Sequence, residues 1–218
     1  MILFISLHRN LSLEITFYQI FRLNNDQPRK RMMKKSVLFL FCLSLVLFAS
    51  CNDSKKFQIK KGQVGHLTPK TTIQELEKIF ENDSIISNLS EGALGDNLFQ
   101  DDDEYMIFEK GGKHLLTIIP KDQLDSTSTI KSIQIFDKRF KTETGLSLTS
   151  TFLDINANNN INKVESTFSS ATLFIDELNA TISIDKEELG LKAFSSQQVK
   201  KEQIPDLARM KSFTIWFN

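Results

Sequence analysis

Ile130-Lys131-Ser132-Ile133-Gln134-Ile135-Phe136 and Met210-Lys211-Ser212-Phe213-Thr214-Ile215-Trp216 stand 80 positions apart and read alike. The alternation in the first is imperfect, but both are rich in β-branched and aromatic side chains, as strands are. The agreement extends upstream. Gly65-x-Leu67-Thr68-x-x-Thr71 faces Gly145-Leu146-x-Leu148-Thr149-Ser150-Thr151, with Gly65/Gly145 and Thr71/Thr151 again 80 apart. A recurring spacing of this kind marks a repeated unit that buries its face against its neighbour. The fold class this predicts is α+β: two related helix-plus-antiparallel-sheet units in tandem, over residues 58–140 and 141–218. Each unit reads as a Gly turn, a capped helix, a hairpin and a final strand.

Within the first unit, Ile73, Leu76, Ile79 and Phe80 form a helical stripe over 71–82. Thr71 with Gln74, or Thr72 with Glu75, supplies a capping box, and Pro69 stops the helix from running backward. Strands are expected over 104–109 and 113–119, flanking Gly111-Gly112, with a turn that can exceed two residues. In the second unit, 151–156 reads as a short helix. Residues 172–177 and 180–185 read as a hairpin around Leu178-Asn179, and 212–217 as the closing strand.

Upstream the chain is of another kind. Residues 33–51 begin with Lys34 and Lys35, continue through 13 apolar or small residues from Val37 to Ala49, and end Ala49-Ser50-Cys51. A helix of that length covers roughly 20 Å, short of a bilayer core of about 30 Å, and matches a signal h-region. Phe48-Ala49-Ser50-Cys51 resembles the lipobox of bacterial lipoproteins, departing from it at Phe48, where the family usually has Leu. The resemblance implies a signal peptide over 33–50, processing before Cys51, and a lipid anchor on that cysteine, including an acyl chain such as palmitate. Two or three acyl chains hold a protein to a membrane stably where one does not. Asn52 follows the cysteine; in enterobacterial lipoproteins an Asp there retains the protein at the inner membrane. The resemblance therefore implies the outer membrane of the cell envelope. Residues 51–57 read as a tether. Residues 1–32 read either as sequence upstream of a true start at Met32 or Met33, or as a long n-region.

The net charge of zero hides two unlike parts. Residues 1–50 hold seven Lys and Arg against Glu14 and Asp26, which leaves 20 basic and 25 acidic residues from 51 onward, a net charge of −5. That balance lacks the clustered cations that nucleic acid demands, so no nucleic-acid partner is expected. Both cysteines lie at or before position 51, so the mature part has no internal disulfide.

The order of elements and the Gly-x-x-Thr start of each helix resemble the tandem helix-plus-sheet domains of the beta-lactamase-inhibitor-protein type, and of small outer-membrane assembly lipoproteins. The resemblance says more about the fold than about a partner. For catalysis the sequence offers little. No metal site and no cofactor are expected: His66 and His114 are the histidines beyond Cys51, and Asp101-Asp102-Asp103-Glu104 lacks the calcium-loop pattern, so it reads as a solvated loop. There is no Gly-x-Ser-x-Gly elbow and no phosphate loop. The loop Asp137–Gly145 mixes charge, an aromatic and hydroxyls; Arg139, Phe140 and Lys141 are its candidate binding residues, with ordinary packing of Phe140 as the alternative. The expected function is that of a non-enzymatic, membrane-anchored binding or assembly module for an unknown protein or small molecule. The alternatives are an envelope hydrolase using His66 or His114 as base, and an inhibitor of one protein partner.

Overall fold

A computed structural model describes residues 53–90 and 102–217. The signal segment, Cys51, Asn52 and Asp101 lie outside the described residues. Eight strands form one antiparallel sheet: β3 (Ser84–Asn88), β4 (Glu104–Phe108), β5 (His114–Pro120), β6 (Ile130–Ile135), β8 (Ile161–Ser166), β9 (Ser170–Ile175), β10 (Ala180–Asp185) and β11 (Ser212–Trp216). Their order across the sheet is β3-β4-β5-β6-β11-β10-β9-β8. A small second sheet has the order β2-β1-β7, from β1 (Gln58–Lys60), β2 (Gln63–Val64) and β7 (Lys141–Thr142). Among the described residues helix is confined to short pieces: α1 (Asp53–Lys56), a 3-10 turn (Ile73–Glu75) running into α2 (Leu76–Ile79), α3 (Phe152–Asn158) and a 3-10 turn (Lys201–Gln203).

The α+β expectation of two helix-plus-sheet units is therefore corrected. The chain is mostly β, and its eight long-range strands make one sheet. Two physical causes account for the difference. First, the helix expected over 71–82 ends early, because Phe80 leaves helical geometry (φ −109°, ψ 33°) and the chain joins the sheet at Ser84. Its apolar stripe is buried all the same, at Ile73, Leu76 and Phe80. Second, the last strands of the two halves do not cap separate sheets. β6 and β11 pair with each other, which satisfies the backbone groups that two sheet edges would have left open.

The pairing at that junction is informative. Gln134 faces Thr214, residues 80 apart in the chain, so a local two-fold axis passes between them. From that axis outward each side runs fourth, third, second and first strand. The helix starts repeat as well. Ile73 and Gln74 donate backbone N–H to the carbonyls of Ser128 (3.0 Å) and Ser126 (2.9 Å); Phe152 and Leu153 donate to Ala208 (2.8 Å) and Asp206 (2.9 Å). Thr72 N–H donates to the Glu75 carboxylate at 2.8 Å, and Thr151 N–H to that of Asp154 at 2.8 Å. The structural partner of Thr151 is thus Thr72 and not Thr71, an offset of 79 at the helix starts and 80 at the last strands.

One face of the large sheet holds the core. Ile107, Leu116, Ile118, Ile133, Ile135, Leu173, Ile175, Ile182, Phe213 and Ile215 are all buried, and they belong to one cluster with Ile73 and Leu76, with Phe152 and Ile155 of α3, and with Ile59 and Leu67. Gly65 shows how tightly the small sheet closes this side. It has φ +57°, donates its N–H to Gln58 O at 2.8 Å, and a Cβ built there would lie 2.4 Å from Lys56 O. We expect Gly65→Ala to cost about 2–3 kcal/mol, from left-handed backbone strain plus a backbone clash. Gly145, with φ +85° and open space around it, should lose only about 1 kcal/mol as Gly145→Ala. Urea midpoints of the two variants check this; equal losses would show that the approach to Lys56 yields freely.

Candidate functional site

The opposite face of the sheet carries the side chains that alternate out of the core. Its middle row is Ile86, Met106, Thr117, Gln134, Thr214, Thr181, Phe174 and Lys163, each paired with the next across the strands. The row is nearly symmetric about the Gln134/Thr214 pair: Thr117 answers Thr181, Met106 answers Phe174, and Ile86 answers Lys163. Flanking this row, Ser132 stands opposite Trp216 on one side, and Ser183 opposite Ser212 on the other, where the two hydroxyls meet at 2.7 Å. Trp216 is the only tryptophan of the chain; its indole N–H donates to Thr181 Oγ1 at 3.0 Å. None of Ile86, Met106, Phe174 and Trp216 belongs to the buried core. The centre of this face is uncharged, with hydroxyls and one amide between apolar and aromatic side chains; Thr117 and Ser132 are buried there, Gln134, Thr181 and Thr214 are half-buried, and the row ends in an exposed cation at Lys163.

At one end of the face His114 is sandwiched between two rings. Phe108 stacks on it at 4.6 Å between centroids and Phe136 at 3.9 Å, and its Nε2 lies 3.1 Å from both Leu116 O and Thr117 Oγ1. Burial lowers its pKa against the opposing effect of the Leu116 carbonyl. Both flanks of this imidazole are occupied, and the ring that faces solvent is Phe136, 42% exposed.

The three loop residues singled out from sequence occupy different environments. Phe140 is buried, 2% exposed, with its ring edge-on to Phe57 at 5.1 Å. Lys141 is exposed and lies in β7, where its backbone N–H donates to Phe57 O at 2.9 Å. Arg139 is held on several sides. Its Nη1 and Nη2 donate to the two Glu109 carboxylate oxygens at 2.9 and 2.8 Å, and its Nε to Asp137 Oδ2 at 2.8 Å. The Phe57 ring lies 4.3 Å from its guanidinium carbon. Such bidentate pairing engages most of the donors an incoming anion would use. Asp137 itself is fully buried and also pairs with Lys113 at 3.0 Å. Burial pushes its carboxyl up, but the hydrogen bonds from the Arg139 side chain and backbone and from Lys113 outweigh that and hold it at about 2. Glu109 is likewise held below its ordinary value, chiefly by the Arg139 hydrogen bonds.

A cleft of about 270 Å³ opens beside this cluster. Lys56, His66, Asn82 and Asp83 are on its lining, with Phe80 and Phe140. Lys56 Nζ holds the Asp83 carboxylate from both oxygens, at 3.2 and 2.9 Å. His66 is exposed at this lining. The acidic run at 101–104 is not a solvated loop throughout. Asp103 is 1% exposed and accepts from Ser90 N, Ser90 Oγ and Leu124 N at 2.7, 2.7 and 2.6 Å, so it ties three segments together. Burial raises its pKa and these donors more than offset that. Asp102 pairs with Lys131 at 3.5 Å. Among the described residues no three His, Cys, Asp or Glu side chains converge as metal ligands.

The open face escaped the sequence reading because it depends on register. Its members come from eight strands spread over more than 100 residues, and alternation within one strand does not say which neighbour it meets.

No family model matches this chain, and no curated protein does. Among solved structures, an uncharacterised protein of Escherichia coli, yfeY, is similar at 14% identity with a TM-score of 0.45, over 73% of this chain and 98% of that one.

Proposed function

We propose that this chain is a lipid-anchored envelope protein that acts as a non-enzymatic binding module, presenting the open sheet face to a partner. The observation that carries the reading is that face: half-buried Gln134, Thr181 and Thr214 at its centre, between Met106 and Phe174 in the same row and with Trp216 beside them, outside the core. Surfaces that bind proteins combine aromatic and Met anchors with hydrogen-bonding groups and few charges at the centre. The lipobox at Phe48–Cys51 supports the location, and Asn52 favours the outer membrane. Lys56 pairs with Asp83 and Phe57 packs on Phe140, so the domain begins within a few residues of Cys51 and a lipid there would keep it at that surface.

Two experiments test the two parts. Cys51→Ala should abolish incorporation of labelled palmitate and release the protein from washed membranes; equal labelling of the variant and the parent would end the anchor reading. For the face, a photo-crosslinking residue at Thr214 should yield a discrete adduct in cells, whereas one at exposed Leu153 on α3 should not. Thr181→Lys, which places a charge mid-face, should remove that adduct while the circular dichroism stays unchanged. An adduct that survives Thr181→Lys, or forms equally from Leu153, would mean that this face is not the contact. Because Trp216 is the sole indole, its emission should also shift when the partner is added.

A further inference from the structure

The strand registers bring one set of loops to the same end of the large sheet. Ile135 pairs with Phe213, Ser212 with Ser183, and Asp185 with Ser170. The chain leaving β6, the chain leaving β10 and the chain entering β9 therefore share that end. Phe57 lies there too: it packs edge-on to Phe140, and its carbonyl accepts from Lys141, just past β6. Strands lie about 4.8 Å apart, so β9, three places from β6, is roughly 14 Å away. Cys51 stands six residues before Phe57, a span of at most roughly 20 Å. A lipid on Cys51 thus enters its bilayer near this end.

Among the described residues the phenylalanines that stand out to solvent are Phe136, Phe168 and Phe194, and all three are at this end. Phe168 is 69% exposed in the turn between β8 and β9, and Phe194 is 80% exposed in the loop after β10. Both tips are held in place. Thr167 N–H donates to Ser170 O at 2.8 Å and Ser170 N–H to Thr167 Oγ1 at 3.0 Å, which closes the first. The second is clamped by Lys186, a buried side chain whose ammonium donates to Ser195 O and, at 2.9 Å, to Gln197 O. Phe194 itself has φ +57°, a left-handed backbone that bulky residues avoid. The tips are also tied to each other: Lys186 N–H donates to Ser169 O at 2.9 Å, and Val199 N–H to Ser166 Oγ at 2.8 Å. A buried cation and a strained residue both cost stability, and here they hold a phenylalanine out in water. Charge follows the same pattern. Residues 190–201 contain Lys192, Lys200 and Lys201 and no acid, and 166–170 hold four hydroxyls and no charge, in a chain with 20 basic against 25 acidic residues from position 51 onward.

Resting on the anchor reading above, we propose that this end of the sheet lies on the bilayer that holds the lipid, with Phe168 and Phe194 in the headgroup boundary and the three lysines at anionic headgroups. Apolar area and cations together are what bind a peripheral surface to such lipids. Two phenylalanines hold a free protein only weakly. A tethered one meets the surface at high effective concentration, so the tips need only fix its orientation. The open sheet face lies along the strands and not at their ends, so this orientation leaves it available to a partner.

Vesicles of phosphatidylethanolamine and phosphatidylglycerol, with acyl chains brominated to quench indole emission, test this with the full lipidated protein. Emission of Trp216 in the parent should be unaffected, since Trp216 stands at the far end of β11. Phe168→Trp and Phe194→Trp should each add a component that the brominated lipid quenches about twofold or more. Leu124→Trp should add no quenched component: Leu124 is exposed and left-handed like Phe194, but it lies between β5 and β6 at the opposite end of the sheet. Flotation of the parent with the vesicles reports the anchor separately. If the parent does not float, the anchor reading falls and the tips are tested alone, with excess vesicles and free chain. There, changing Phe168→Ala and Phe194→Ala together should weaken vesicle binding about tenfold or more. A floating protein quenched at Trp216, or no more at Phe194→Trp than at Leu124→Trp, would overturn the proposal. So would a free chain that ignores the vesicles or binds them equally without the two rings.

Discussion

Asp137→Ala should lower the stability of the domain by about 3 kcal/mol at neutral pH, and about 2 kcal/mol of that loss should disappear in acid. The carboxylate is fully buried and receives Arg139 Nε at 2.8 Å, Arg139 Nη2 at 2.5 Å and Lys113 Nζ at 3.0 Å. Removing one partner from a buried ion pair typically costs 3–5 kcal/mol, because the other charge is left uncompensated. Here Arg139 keeps Glu109, and the Arg139 and Lys113 side chains are 37% and 50% exposed, so the lower end of that range applies. The pH dependence follows from the depressed pKa. The folded-state value of about 2 lies below the unfolded value of 3.8, so the folded state holds its proton less tightly. The stabilisation is complete above pH 3.8 and is lost as pH falls through about 2, amounting to about 2 kcal/mol. Denaturant melts of parent and variant at neutral pH and at steps down to pH 2 check both claims. A difference that stays constant across that range would show that the carboxylate acts by packing and not by charge.

That cluster also shows what the chain reveals of itself and what it hides. The segment 137–145 is conspicuous in sequence for its charge and its Phe140. The role of Arg139 is set by Glu109, thirty residues away on the far side of the Gly111-Gly112 turn, and no local pattern announces that meeting. What local pattern does exist is Asp137-x-Arg139, a carboxylate and a guanidinium two residues apart, enough to suggest mutual pairing over an open anion receptor. Asp103 was hidden for a different reason. Inside a run of four acids it reads as solvated, yet it turns inward to the backbone N–H groups of Ser90 and Leu124.

The strands divide in the same way. β4, β5, β6, β9, β10 and β11 were legible because each has two neighbours and buries one face, which imposes β-branched content and alternation. β3 and β8 were missed. An edge strand has one neighbour and more solvent, so Ser84–Asn88 and Ile161–Ser166 carry too few apolar residues to show a period. The class was misjudged at the helices. A stripe at 73, 76, 79 and 80 predicts which side chains are buried, and three of the four are, but it does not say how many turns the backbone keeps before the sheet claims it.

Phe213→Ala should cost about 4 kcal/mol, and the whole domain should bear the loss in a single unfolding transition. Phe213 is fully buried on β11 and pairs with Ile135 on one side and Ile182 on the other, so it touches both halves of the sheet. Truncating a buried Phe costs about 3–5 kcal/mol through lost transfer energy and the cavity left behind. The consequence of interest is how that loss is distributed. If residues 58–140 and 141–218 folded as separate bodies, a cavity in β11 would destabilise the second and spare the first. The structure argues otherwise: the β6–β11 ladder runs through the middle of one core, and β1 of the first half pairs with β7 of the second. Neither half can unfold without baring an edge strand and part of the other's buried face. Equilibrium denaturation of the parent should thus give one transition, and Phe213→Ala should move its midpoint without changing its slope. Ile133→Ala, at the matching position in β6, should shift the same single transition by about 3 kcal/mol. Two resolved transitions, with each variant moving only its own, would instead show that the halves are joined by contact and not by cooperativity.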